Sequence, residues 1–150
     1  MTPQTITPCL WFDGKAEEAA AFYVSVFPDS AVTSVTPGPT GAALVVEFRL
    51  AGVRFLALNG GPQFQFNEAI SLSVDCRTQT EIDELWEKLS AGGPGQCGWL
   101  KDRYGVSWQV VPSVLPKLLA DPAKAGRVMQ ALMGMTKLDT AALRAAADGR

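Results

Sequence analysis

Gln109 is flanked by Trp108 and Val110 in the segment WLKDRYGVSWQVVP, residues 99–112. An amide placed among apolar side chains needs partners for both its oxygen and its nitrogen, and leaving them unmade costs about 1–3 kcal/mol. Three roles stay open for it: a remnant metal ligand, an amide that reads a bound molecule, or an internally hydrogen-bonded side chain.

The other chemistry-bearing residues are sparse. The chain has no histidine, which removes the usual general base and the commonest metal ligand together. Serine-histidine and cysteine-histidine catalysis are thereby excluded. Cys9, Cys76 and Cys97 are an odd number at wide spacings, matching neither a disulfide framework nor paired zinc knuckles. They read as idle thiols, because a reactive one needs a depressed pKa. Glu47, flanked by Val46 and Phe48, reads as a solvated residue on the outer face of a strand rather than a substitute carboxylate.

These residues must be positioned by a chain of 150 residues, 47% hydrophobic, enough for one domain or for two small halves sharing a core. A formal charge of −2, with acids and bases mixed, provides no basic stripe for nucleic acid. The opening MTPQTITPCLWFDG has neither a basic leader nor a long apolar run, and no segment approaches the roughly 20 apolar residues of a membrane span. The expectation is a cytoplasmic protein without membrane or nucleic-acid partners.

Alternation predicts a strand over 5–12, beginning irregularly at Pro8. Ala20, Tyr23, Val24 and Phe27 recur at helical spacing within 15–27, with Glu17 and Glu18 in the first turn. Strands follow over 30–37, 42–50 and 53–59, then a strand over 68–75, a helix over 78–90 and the two strands of 99–112. Leu10, Phe12, Ala20, Tyr23 and Phe27 fall opposite Leu72, Val74, Ile82, Leu85 and Leu89 without a gap, which predicts a repeat. By parity, Leu10, Phe12, Ile70, Leu72 and Val74 point towards the helices, while Thr7, Cys9, Trp11, Ala69, Ser71 and Ser73 point away. Beyond Pro112 the chain turns helical, with Asp121 and Asp139 as N-caps and Met129, Leu132, Met133 and Met135 on one apolar face. That face packs on its own sheet or makes a dimer contact.

Two long matches coincide: ITPCLWFDGKAEEAAAFYVSVFPDS at the start, and NGGPQFQFNEAISLSVDC with GQCGWLKDRYGVSWQVVP later. Together they resemble the PhnB-like branch of the vicinal oxygen chelate superfamily, the group of glyoxalase I, bleomycin-resistance proteins and extradiol dioxygenases. The resemblance implies an α+β fold of paired βαβββ modules, over about 5–59 and 67–112, with a helical extension over 113–150. It also implies sheets that form a cup, and a homodimer. Metal enzymes of this superfamily take a ligand from the first and the last strand of each module. The matching positions are Thr7 (or Pro8) and Ala57, then Ala69 and Gln109, a poor metal site, since methyl groups have no lone pair and a neutral amide is a weak ligand.

What remains for the cup is an aromatic and amide lining. Strand parity proposes Cys9, Trp11, Phe55, Asn59, Ser71, Ser73, Trp99 and Gln109, with Trp108 facing the helices instead. In the loop NGGPQFQF, Phe64 and Phe66 either form a lid or anchor a plain connection. The expected function is binding of a small, partly aromatic molecule with no metal or cofactor. Two other readings stand beside it: an enzyme whose divalent metal is held by Gln109, Glu47 or the ligand, and an interaction role for the methionine-bearing tail. Many relatives carry the label 3-demethylubiquinone-9 3-methyltransferase, yet no GxGxG turn suited to S-adenosylmethionine follows any strand here.

Overall fold

The computed structural model describes residues 3–150. The chain divides into two compact units, one ending at Phe66 and the other running from Asn67 to Arg150.

In the first unit, β1 (Cys9–Phe12), α1 (Ala16–Val26), β2 (Ala31–Pro37), β3 (Ala43–Leu50) and β4 (Val53–Asn59) follow in order. The strands lie β1-β4-β3-β2, with β1 parallel to β4 and the rest antiparallel. The first strand starts at Cys9 rather than near Thr5, because Pro8 has no N–H to give the ladder and only its carbonyl joins, accepting from Leu56 N–H at 2.9 Å. Ala16, Ala19, Ala20 and Tyr23 form the buried stripe of α1. Tyr23 stacks on Phe48 of β3, and Phe48 on Phe55 of β4, with centroids 6.2 and 5.5 Å apart. This aromatic column fixes which side of the sheet carries the core.

The helix has no cap from its own preceding residue, Lys15. Ala16 N–H instead donates to Asn59 Oδ1 at 2.9 Å, and Asn59 Nδ2 donates to Ala43 O at 2.9 Å. One amide from the end of β4 therefore ties the start of α1 to the start of β3.

The second unit repeats the plan. It runs β5 (Leu72–Cys76), α2 (Gln79–Leu89), β6 (Gly93–Pro94), β7 (Trp99–Lys101) and β8 (Ser107–Pro112), and its strands lie β5-β8-β7-β6. The parallel pair is again the first strand with the last, so Ser73 opposite Gln109 corresponds to Trp11 opposite Leu58. The repeat expected from the sequence is present in the strand order. Thr78 caps α2 by accepting from Glu81 N–H at 3.2 Å, and Glu81 Oε2 accepts from Arg77 N–H at 2.8 Å, a reciprocal arrangement close to a capping box.

The strand expected over 68–75 begins only at Leu72, because Asn67 Oδ1 accepts from Ala69 N–H at 2.9 Å and makes a local turn in place of ladder bonds. Ile70, expected to face the helix, is 71% exposed in consequence.

After β8 come α3 (Leu115–Ala120), α4 (Pro122–Met133) and α5 (Thr140–Ala147), the last two capped by Asp121 and Asp139 as their sequence indicates. Leu115, Val128, Leu132, Leu138, Leu143 and Ala147 form their core, against which Cys97 and Val111 also pack. The methionine face divides: Leu132 is buried and Met135 packs on the core, whereas Met129 and Met133 are exposed. The helical period places Val128, not Met129, in line with Leu132. Residues 135 and 136 run beside the entry to β7, with Cys97 N–H donating to Met135 O and Gly98 N–H to Thr136 O, both at 2.8 Å.

Candidate functional site

Residues paired across a ladder share a face, so the registers assign every strand side chain to the helix-covered or the open side of its sheet. In the first unit Cys9 lies opposite Leu56 and Trp11 opposite Leu58, which puts these four on the open face. Phe55, Ala57 and Asn59 take the alternate positions and turn to α1: Phe55 joins the aromatic column, Ala57 is fully buried and Asn59 caps the helix. Phe55 and Asn59 are therefore not lining residues, and Ala57 is not a ligand position. Alternation along β4 alone carries no information on its register against β1, and a one-residue offset exchanges the faces. Glu47 is also relocated. It sits abreast of Leu56 and Ser34, half-buried on the same open face as Cys9 rather than on an outer one.

Trp11 is already engaged. Its Nε1–H donates to Gly61 O at 2.9 Å, and Phe64 meets its ring edge-on at 4.9 Å. A Cβ on Gly60 would lie 2.4 Å from the indole, so only glycine lets the loop pass there. Phe66 packs edge-on against Phe12 at 5.3 Å. The two phenylalanines thus straddle the free edge of β1, which is the anchoring arrangement of the 59–66 loop. Cys9 is exposed, but partial desolvation raises its thiol pKa, and burial pushes Cys76 up to about 11. Neither thiol is activated as a nucleophile.

In the second unit Trp99, Gln109 and Ser73 lie abreast on β7, β8 and β5, and Lys101 pairs with Ser107 in the adjoining row. All five occupy the open face. Gln109 Nε2 donates to Ser71 Oγ at 2.9 Å, so Ser71, Ser73, Trp99 and Gln109 lie together on this face. Trp108 turns inward, 2% exposed, and its Nε1–H donates to Asp102 Oδ2 at 2.8 Å. Beside this face opens a cleft of about 560 Å³, lined by Glu68, the 92–96 segment that includes β6, Trp99, Leu100, Lys101 and Ser107. Lys101 Nζ pairs with Glu68 Oε1, and this hydrogen bond holds the Glu68 carboxyl below its ordinary pKa.

Sequence reasoning missed Glu68, Lys101 and Ser107. Ser107 and Lys101 share the parity of Gln109 and Trp99 and were reachable by the same rule, whereas Glu68 is brought in by the turn at Asn67.

The donor set does not fit a divalent cation. Thr7 Oγ1 accepts from Arg54 Nη2 at 2.9 Å, which places a guanidinium where an ion would have to sit. Ala69 lies outside the strand, Leu58 matches Gln109 in the repeat, and Gln109 is a neutral amide. Among the described residues, no three His, Cys, Asp or Glu side chains gather to hold a metal ion. No helix among them is long and apolar enough to cross a membrane.

Comparison with known proteins places this geometry among relatives. The profile of a family described as 3-demethylubiquinone-9 3-methyltransferase matches residues 4–111. A solved structure of a putative 3-demethylubiquinone-9 3-methyltransferase, PhnB protein, from Bacillus cereus is 36% identical, covering 73% of this chain and 99% of that one, with a TM-score of 0.65. A Pseudomonas aeruginosa protein is 20% identical over 73% of this chain and 98% of its own, with a TM-score of 0.58, a likeness of fold. A glyoxylase/bleomycin resistance protein/dioxygenase domain from Frankia is 15% identical over 75% of this chain and 93% of its own, with a TM-score of 0.49. Curated proteins give no match.

Proposed function

Given that the chain belongs to the PhnB-like family described as 3-demethylubiquinone-9 3-methyltransferases, within the vicinal oxygen chelate superfamily, we propose that it binds a small, partly aromatic molecule without a resident metal. The site is the open face of the second unit and the cleft beside it.

The observation that carries this reading is the state of Trp99. Trp11 and Trp108 spend their indole N–H groups on internal acceptors, whereas the Trp99 ring makes no hydrogen bond or ring contact among the described residues and borders the cleft. An unoccupied indole beside a concavity of ordinary ligand size offers a flat apolar surface for stacking. Gln109 supports the same reading, because its nitrogen is satisfied by Ser71 while its oxygen accepts from no described group.

The family's name speaks of methyl transfer. The residues give that step no support, since the junctions from Phe12 to Ala16 and from Cys76 to Gln79 lack the glycine-rich turn that cradles a nucleoside cofactor. The mechanism assigned here is therefore binding: Trp99 stacks, Gln109 orients, and Ser71 holds the amide in place.

Titration with toluene while tryptophan emission is recorded tests this. Saturable quenching is expected, unchanged by EDTA and lost in Trp99→Ala. Quenching that never saturates, or that EDTA abolishes, overturns the reading.

A further inference from the structure

One wall of the cleft is built differently from the rest. The other lining residues belong to the 92–96 segment, β7 and β8, whereas Glu68 is brought in by the segment that precedes β5.

That segment has left the sheet. Leu72 makes the first ladder pair, with Trp108, and the turn at Asn67 takes the residues before it out of line. Ile70 is a large apolar side chain yet 71% exposed, so packing does little to hold the segment down.

Side chains hold it instead, at two points. Ser71 Oγ accepts from Gln109 on β8, and Glu68 Oε1 pairs with Lys101 Nζ on β7. In the order β5-β8-β7-β6, β7 lies two positions from β5, roughly 10 Å away, so Glu68 reaches past β8 to meet Lys101.

The two ties differ in strength. Ser71 adjoins Leu72, so the ladder of β5 fixes its place. The side chains of Glu68 and Lys101 are 60% and 42% exposed, and a pair so open to water favours the closed form by no more than about fivefold. Water takes up both charges when the pair parts, which a buried pair does not allow. The segment is thus hinged at Ser71 and caught at Glu68 by a contact weak enough to break and re-form.

We propose that residues 67–71 form a strap whose Glu68 end opens and closes the cleft, and that parting of the Glu68–Lys101 pair sets how fast a ligand enters and leaves. This rests on the small-molecule reading above and adds how its site is opened.

NMR relaxation of the unliganded protein tests the strap by itself. Heteronuclear NOE values over 68–70 should fall in Glu68→Gln and in Lys101→Gln and fall no further in the double variant. They should return when the charges are exchanged, Glu68→Lys with Lys101→Glu. Sodium chloride at about 1 M, which screens an exposed pair, should lower them in the unaltered protein and not in Glu68→Gln. Values at Val110, in the core, should stay constant. Line shapes in a toluene titration should then show association and dissociation both about threefold faster in Glu68→Gln, at unchanged Kd. Unaltered NOE values in both single variants overturn the strap. A loosened strap with toluene rates as before overturns its control of entry and leaves the small-molecule reading intact. If the strap loosens but toluene does not bind at all, that reading fails and the entry role with it.

Discussion

Asp102 illustrates how much one buried side chain can organise without touching the candidate ligand. It is 1% exposed; Oδ1 accepts from Tyr104 N–H at 2.8 Å and Val106 N–H at 3.1 Å, and Oδ2 from Trp108 Nε1–H at 2.8 Å. The carboxylate closes the 102–106 turn and at the same time holds the inward-facing indole, so the lone open-face tryptophan of the hairpin is Trp99. Asp102→Ala leaves these three donors without their acceptor, and unfolding in urea should show a loss of about 3 kcal/mol or more. Asp102→Asn can keep the two turn bonds but turns an NH₂ towards the Trp108 N–H, so it should also destabilise, by less. Unchanged stability in both variants would contradict the role given to the turn. An Asp three residues before a Gly, as Asp102 is before Gly105, is a readable signal of such a turn; its bond to a side chain six residues on is not local and leaves no trace in spacing.

At the scale of elements, the tail is joined to α2 by a single side chain as much as by its core. Gln79 Nε2 donates to Leu138 O at 3.0 Å and to Asp83 Oδ1 at 3.1 Å, while Gln79 Oε1 accepts from Thr140 N–H at 2.9 Å. Lys137 Nζ lies 2.7 Å from Asp83 Oδ1, and its hydrogen bond, ahead of the one from Gln79, lowers the Asp83 pKa. A lowered carboxyl pKa stabilises the folded state above the unfolded value and is lost as pH falls through the folded one. The junction should therefore loosen below about pH 4. Gln79→Ala should cost about 1–3 kcal/mol and speed hydrogen exchange at Thr140 N–H, read by NMR. Unaltered exchange there would remove Gln79 from the junction. The helices themselves were legible from the caps Thr78, Asp121 and Asp139 and from periodicity. The cap on α1 was not, because Asn59 reaches it from 43 residues away in sequence.

For the molecule as a whole, the repeat was readable because Phe12 with Val74, and Ala20 with Ile82, repeat both the spacing and the apolar character that two sheets of the same strand order demand. What the alternation of a single strand omits is its register, and this misplaced Phe55, Asn59 and Glu47. The facing of the candidate site's side chains was legible where a short hairpin fixes the pairing, as for Trp99 and Gln109, and illegible where the pairing is between β1 and β4. We propose a homodimer, the assembly that resemblance to the superfamily implies. The exposed Val32 and Val35 on β2, at an edge of the first sheet, support it. Sedimentation velocity at micromolar concentration should give twice the chain mass of 16.0 kDa, and a persistent single-chain mass would count against it.

The segment at Met135 and Thr136 grips Cys97 and Gly98 through two peptide N–H groups, and Trp99 is the very next residue. Any pull on the carboxyl-terminal helices is thus delivered to the base of that indole. Breaking those two bonds should therefore be readable in tryptophan emission, to which Trp11, Trp86 and Trp108 also contribute.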